Sequence, residues 1–165
     1  MQYRMETHDA MRLVGCRFFV SLDNGLDYSY IPGLWDALPK ETFDALKSLN
    51  DSSPSGVLGV FGEKHDNGFD YWMAASTTKP CPPQFQVIHI PASKWAIFTG
   101  KGALPDAVQN IFKRLYTEWF PQADYTRRWE VFELEWFADG DQRAADVTCE
   151  GWVPVVEKES GGITQ

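Results

Sequence analysis

Two carboxylates stand two residues apart in the segment Trp129 to Phe137, WEVFELEWF. If this segment is a strand, alternation puts Glu133 and Glu135 on one face with Val131 and Phe137, and Phe132, Leu134 and Trp136 on the other. A carboxylate among apolar neighbours is costly to desolvate unless a cation or a hydrogen-bond donor meets it. Such a group can attract a ligand cation, with aromatic rings supplying area and cation–π attraction. With its pKa raised by an apolar site, it can instead act as a general base on water. The plainer alternative is that Glu133 and Glu135 line a solvated face of an edge strand.

Aromatic residues offer the other half of a binding site. There are seven Trp and eleven Phe, and they can build either a Trp-rich core or an aromatic-walled pocket. Trp35, Tyr71, Trp72 and Trp152 are the pocket candidates. Tyr71 and Trp72 point to opposite faces of their strand, so one at most meets a ligand. Nucleophilic catalysis finds little support. No GxSxG and no Gly-rich phosphate loop occurs, and Cys149 has no basic neighbour to lower its pKa. Cys16, Cys81 and Cys149 are far apart, and His8, His65 and His89 show no ligand spacing. Neither a metal site nor a disulfide framework is expected, and no cofactor.

Fifteen basic residues against twenty-three acidic ones give a net charge of −8. Phosphate binding needs clustered Lys and Arg, so nucleic acid is not the expected partner. A net negative charge raises the local concentration of cationic ligands and fits a cation binder. The N-terminal stretch lacks a long apolar run, so no signal peptide or membrane span is expected, and the protein is expected in the cytoplasm.

The elements that must position these residues read as follows. Residues 11–20 form an apolar strand, and Asp23-Asn24-Gly25 is a turn signal. Residues 30–49 carry Trp35, Leu38, Phe43, Leu46 and Leu49 at helical spacing around Pro39, which predicts a kinked helix or two short ones. Val57–Gly62 and Phe69–Ser76 flank Asn67-Gly68 and predict a hairpin. Residues 85–90 and 94–99 are strands. Pro105 opens a helix whose stripe Val108, Ile111, Phe112, Leu115, Tyr116 and Trp119 should lie on a sheet, with Trp119 in the core. Residues 129–137 and 147–156 are the last strands, and 157–165 is a disordered tail. The order is strand, helix, hairpin, given twice. The expected fold is therefore α+β: duplicated βαββ units, antiparallel sheets with helices packed on one side, and a ligand groove between the halves. One domain over 1–156 follows. An exposed hairpin edge leaves a homodimer open.

The second half carries a recognisable series: Ile90-Pro91-Ala92, Trp95-Ala96-Ile97-Phe98 with Gly100 or Gly102, Trp119-Phe120-Pro121, Tyr125, Leu134-Glu135-Trp136-Phe137, Gly140-Asp141 and Trp152-Val153-Pro154-Val155. In order and spacing this resembles the GyrI-like or AraC effector-binding domain. Leu13-Val14-Gly15, Ile31-Pro32-Gly33-Leu34-Trp35 and Asp70-Tyr71 are similar to the integron-cassette branch of that family. The resemblance spans nearly the whole chain. It implies a stand-alone binder of lipophilic, often cationic, small molecules, with Glu135 pointing into the pocket and Glu133 as its competitor. Trp95 and Phe137 stand where Tyr is usual, which implies an altered wall and a lost hydroxyl. Relatives fused to helix-turn-helix domains sense drugs, and this chain is expected to have no room for such a domain. Other stand-alone relatives hydrolyse cyclopropane-bearing toxins or modulate gyrase, and both activities remain alternatives here. The missing hydroxyl at Phe137 bears against hydrolysis more than against binding.

Overall fold

Alternating apolar residues build most of the molecule. The structure, a computed structural model, describes residues 1–23 and 30–159. Strands β1 (Tyr3–His8) and β2 (Met11–Ser21) precede helices α1 (Tyr30–Ala37) and α2 (Lys40–Leu49). Then come β3 (Val57–His65), β4 (Gly68–Ser76), β5 (Gln86–Ile90), β6 (Ser93–Gly102) and helix α3 (Asp106–Arg114). After α3 the chain forms a π-turn (Leu115–Trp119) and a 3-10 turn (Phe120–Gln122), then β7 (Tyr125–Arg127), β8 (Glu133–Phe137) and β9 (Val147–Glu157). Asn24 and Gly25 of the expected turn, and residues 160–165 of the expected tail, lie outside the described residues.

The strands form one antiparallel sheet rather than separate ones, in the order β1-β6-β9-β8-β3-β4-β2-β5, with β7 added on β9. The two expected units are present as β2-α1/α2-β3-β4 and β6-α3-β8-β9. Their strands run outward from the centre as β3-β4-β2 and β8-β9-β6, so a pseudo-twofold lies between β3 and β8. Only three residue pairs close that seam: Gly59 with Glu135, Val60 with Leu134, and Phe61 with Glu133. The outer strands are exchanged, since β1 pairs with β6 and β5 with β2.

Strand alternation sorts the core by face. One face, carrying Leu13, Leu58, Val60, Trp72, Ile97, Leu134 and Trp152, forms a cluster to which, among the described residues, no helix contributes. Both halves of the twisted sheet supply it, so the sheet folds back on itself there. The other face is covered by helices. Ile31 and Leu46 pack over β2 and β4 in the first half, and Val108, Ile111 and Leu115 pack over β6 and β9 in the second. α2 places Glu41 in its first turn and Lys47 in its last, as the helix dipole favours.

Three features differ from the pattern-based expectation. The helix expected to run through Trp119 changes to a π-turn at Leu115, where the Phe120 N–H bonds to the Leu115 carbonyl, five residues back. The wider turn sets Trp119 against Phe98 and stacks it on Tyr125. The strand expected from Trp129 begins only at Glu133. Arg128 to Val131 is a turn closed by the Val131 N–H on the Arg128 carbonyl, and Val131 therefore joins the Leu134 face instead of the Glu135 face. Finally, β1 and β7 were not expected. β1 alternates Arg4, Glu6 and His8 with Tyr3, Met5 and Thr7, only one of which is aliphatic, and β7 is only three residues long.

Leu134 is fully buried where the two halves meet. Leu134→Ala is predicted to cost about 2–5 kcal/mol, read from the urea unfolding midpoint. A near-silent substitution would contradict the shared core.

Candidate functional site

β8 has one covered face and one open face. Leu134 points into the strand-only core, so Glu133, Glu135 and Phe137 must point to the side carrying the helices. There the α1/α2 pair and α3 stand apart over the β3–β8 seam. They leave a groove of about 2070 Å³ lined by Trp35, Phe61, Phe112, Glu133, Glu135 and Phe137, among others. Ligand pockets usually hold about 300–1,000 Å³, so this groove has room for a bulky guest.

Glu135 forms its floor and is only 4 % exposed. Its cross-strand partners are glycines on both sides, Gly59 on β3 and Gly151 on β9. A Cβ at Gly59 would overlap the Tyr71 hydroxyl and Glu135 Oε1, and one at Gly151 would lie 2.8 Å from Ile111 Cγ2. The two glycines thus give the carboxylate and α3 their space. The Tyr71 hydroxyl donates to Glu135 Oε1 at 2.5 Å. Trp35 Nε1 in turn donates to the Tyr71 oxygen at 2.8 Å. Among the described residues no Lys, Arg or His comes within ion-pair distance of Glu135. Burial pushes its carboxyl up to about 7; the Tyr71 hydrogen bond opposes this and the nearby Glu133 charge adds to it. Burial also raises the Tyr71 hydroxyl, helped by the adjacent carboxylate, and pushes the Cys149 thiol up to about 11.

Aromatic rings surround this floor. Trp35 meets Phe137 edge-on at 5.7 Å and Tyr71 at 6.4 Å. Phe61 meets Tyr71 at 5.4 Å and, across the seam, Phe112 at 5.6 Å. Glu133 lies two residues along the same face. It accepts a hydrogen bond from the Tyr116 hydroxyl, and Arg127 Nε approaches it to 3.7 Å. Burial raises the Glu133 carboxyl, while Arg127, Tyr116 and Lys64 oppose the shift.

The sequence candidates therefore divide. Glu135, Glu133, Phe137 and Trp35 come together on the groove, with Tyr71 directly behind Glu135. Trp72, Trp95 and Trp152 lie on the opposite sheet face, inside the strand-only core, where Trp95 and Trp152 pack edge-on at 5.8 Å. They do not line the groove, because each falls on the other parity of its strand. Phe61, Phe112, Tyr116, Arg127 and Trp129 line it without having been singled out as site residues. Phe112 and Tyr116 belonged to the helical stripe read as core, and the stripe is wider than the surface it covers. Gly59 and Gly151 carried a signal, since glycine inside a strand often marks a close approach.

Over residues 1–156 the chain matches the family described as the GyrI-like small molecule binding domain. The chain belongs to this family. Solved structures share the fold. The structure of SAV2435 bound to tetraphenylphosphonium superposes with a TM-score of 0.81 at 23 % identity, covering 94 % of each chain. The EcmrR C-terminal domain gives 0.67 at 20 % identity, covering 94 % of this chain and 98 % of that one. An integron cassette protein from Vibrio cholerae gives 0.60 at 16 % identity, covering 93 % and 95 %. In sequence, the GyrI-like domain is 31 % identical over 94 residues to YobU of Bacillus subtilis, a protein named as a transcriptional regulator. That match covers 53 % of this chain and 58 % of YobU, so the chain spans little more than half of that relative. Among the described residues, no cluster of His, Cys, Asp or Glu could hold a metal ion, and no helix is long and apolar enough to cross a membrane.

The raised Glu135 pKa has a stability consequence. The folded protein holds a proton that the unfolded chain releases near pH 4.5. This contribution is complete below that pH and is lost as pH rises through about 7. A shift of this size corresponds to roughly 3 kcal/mol. Urea unfolding of wild type and Glu135→Gln from pH 4 to 8.5 should show wild type losing stability relative to the variant as pH rises. A difference that is flat with pH would mean that Glu135 titrates normally.

Proposed function

We propose that this GyrI-like domain binds lipophilic organic cations in the groove, with Glu135 as counter-charge and Trp35, Phe61, Phe112 and Phe137 as walls. The observation that carries this reading is a buried carboxylate, without a protein cation among the described residues, at the floor of an aromatic-lined groove. A bulky cation with delocalised charge loses little hydration on entry and supplies the charge the site lacks. At an effective dielectric near 20, a pair about 4 Å apart gains about 4 kcal/mol, and a desolvated cation–π contact about 2. Burial of the guest's apolar surface adds to both.

Tyr71 positions the carboxylate, and Trp35 holds Tyr71. Glu133 is a secondary acidic group, already engaged by Tyr116 and Arg127. Trp72, Trp95 and Trp152 support the sheet from its other side. Tetraphenylphosphonium, the ligand of the similarly folded SAV2435 structure, is a cation of the class proposed. The domain would serve as a sensing or sequestering unit, which agrees with the regulator named among its relatives.

Methyltriphenylphosphonium and the neutral triphenylphosphine oxide separate charge from shape. Followed by Trp fluorescence, wild type should bind the cation at least about tenfold more tightly. Glu135→Gln should remove most of that preference. Equal binding of the two probes, or a preference that survives in the variant, would refute the role of Glu135.

A further inference from the structure

A second charged group in the groove is poorly satisfied. Arg127 ends β7, and pairing with Val155 of β9 fixes its backbone. Its side chain is only 10 % exposed. A guanidinium carries five N–H donors, and buried donors normally find acceptors. Here Nη2 makes one long bond, 3.4 Å, to the Val131 carbonyl. Nε is buried and has no hydrogen-bond partner among the described residues. Glu133 does not serve it, because 3.7 Å exceeds hydrogen-bond length and the same carboxylate oxygen takes the Tyr116 hydroxyl.

The surroundings show what is missing. The Arg127 guanidinium lies over the ring of Trp129 at 4.3 Å, and Lys64 Nζ lies over the same ring at 5.2 Å. Trp129 is 65 % exposed. All three residues line the outer end of the groove. Of the acidic residues there, Glu130 is held by Arg128 at 3.1 Å, Glu63 stands exposed next to the exposed Lys64 in the chain, and Glu133 faces Arg127 but gives Nε no hydrogen bond. The outer end therefore keeps a guanidinium with an unmet N–H donor, while the floor keeps a carboxylate, Glu135, with no cation beside it among the described residues. The two ends are separated by about two strand residues plus the reach of Arg127, on the order of 10 Å.

We propose that Arg127, beside Trp129 and Lys64, is a second subsite that takes a carboxylate or similarly acidic oxygen, so that the preferred ligands are amphoteric: a lipophilic cation bearing an anionic arm. The inference rests on the reading of Glu135 as partner of the cationic end. An acidic oxygen that reaches the guanidinium beside the exposed Trp129 ring would supply the acceptor it lacks. The ligand's cation would then meet Glu135 and its anionic arm the Arg127 guanidinium.

The test uses carboxypentyl-triphenylphosphonium and its methyl ester, which share the cation and differ in the charge of the arm. Wild type should bind the acid about tenfold more tightly than the ester, as a charge-assisted hydrogen bond warrants. In Arg127→Met that ratio should fall to about one. The wild-type comparison stands by itself should the variant fold poorly. Equal binding of acid and ester by wild type, or an acid preference that persists in folded Arg127→Met, overturns the second subsite. If the ester still binds and Glu135→Gln weakens it, the reading of Glu135 survives that result. If neither probe binds wild type, both readings fall.

Discussion

Withdrawing a carboxylate from water costs several kcal/mol unless a counter-charge or several donors replace its hydration. At Glu135, among the described residues, a single phenolic hydroxyl does so. The surrounding architecture maintains that imbalance. Glycines on both flanking strands keep side chains away from the carboxylate and let Tyr71 and α3 approach. Trp35 fixes the Tyr71 hydroxyl from above. Without these glycines the carboxylate would be displaced towards solvent, and with a protein cation beside it a ligand would have no unmet charge to satisfy.

The pseudo-twofold arrangement explains why this group sits where it does. Each half covers one face of its strands with its own helices, and the strand-only core joins the halves on the opposite face. At the β3–β8 seam the helix layers do not meet, so residues of β8 pointing to that side face the groove. Leu134 and Glu135 are neighbours in the chain, and parity alone sends one into the core and the other to the groove floor. The same parity takes Trp72, Trp95 and Trp152 away from the groove and leaves Phe61 and Phe137 on it.

Local pattern made the fold class legible. Alternation and helical stripes, with turn residues between them, sufficed for the βαββ duplication and for a groove between the halves. Glu133, Glu135 and Phe137 could be placed on one face because alternation within a strand is a local property. What was not legible depended on pairing. Nothing near Trp95 tells which face of β6 a helix will cover, and the stripe on α3 does not reveal that Phe112 and Tyr116 face the groove at the β3–β8 seam. β1 pairs with a strand 85 or more residues away, so its own sequence carries little sign of it. Arg127 was missed because the turn at 128–131, which removes Val131 from the Glu135 face, also brings the guanidinium beside Glu133.

The central claim is that the charge of Glu135 is held in reserve for a ligand cation. Proton release on binding measures this most directly. At pH 7 the free carboxyl, titrating at about 7, is about half protonated. Calorimetric titration with tetraphenylphosphonium in buffers of different ionisation enthalpy should therefore show release of about half a proton per cation bound. The release should shrink at pH 8.5 and vanish in Glu135→Gln. Binding without proton release at pH 7, or with the same release in the variant, would show that the cation does not meet its counter-charge at Glu135.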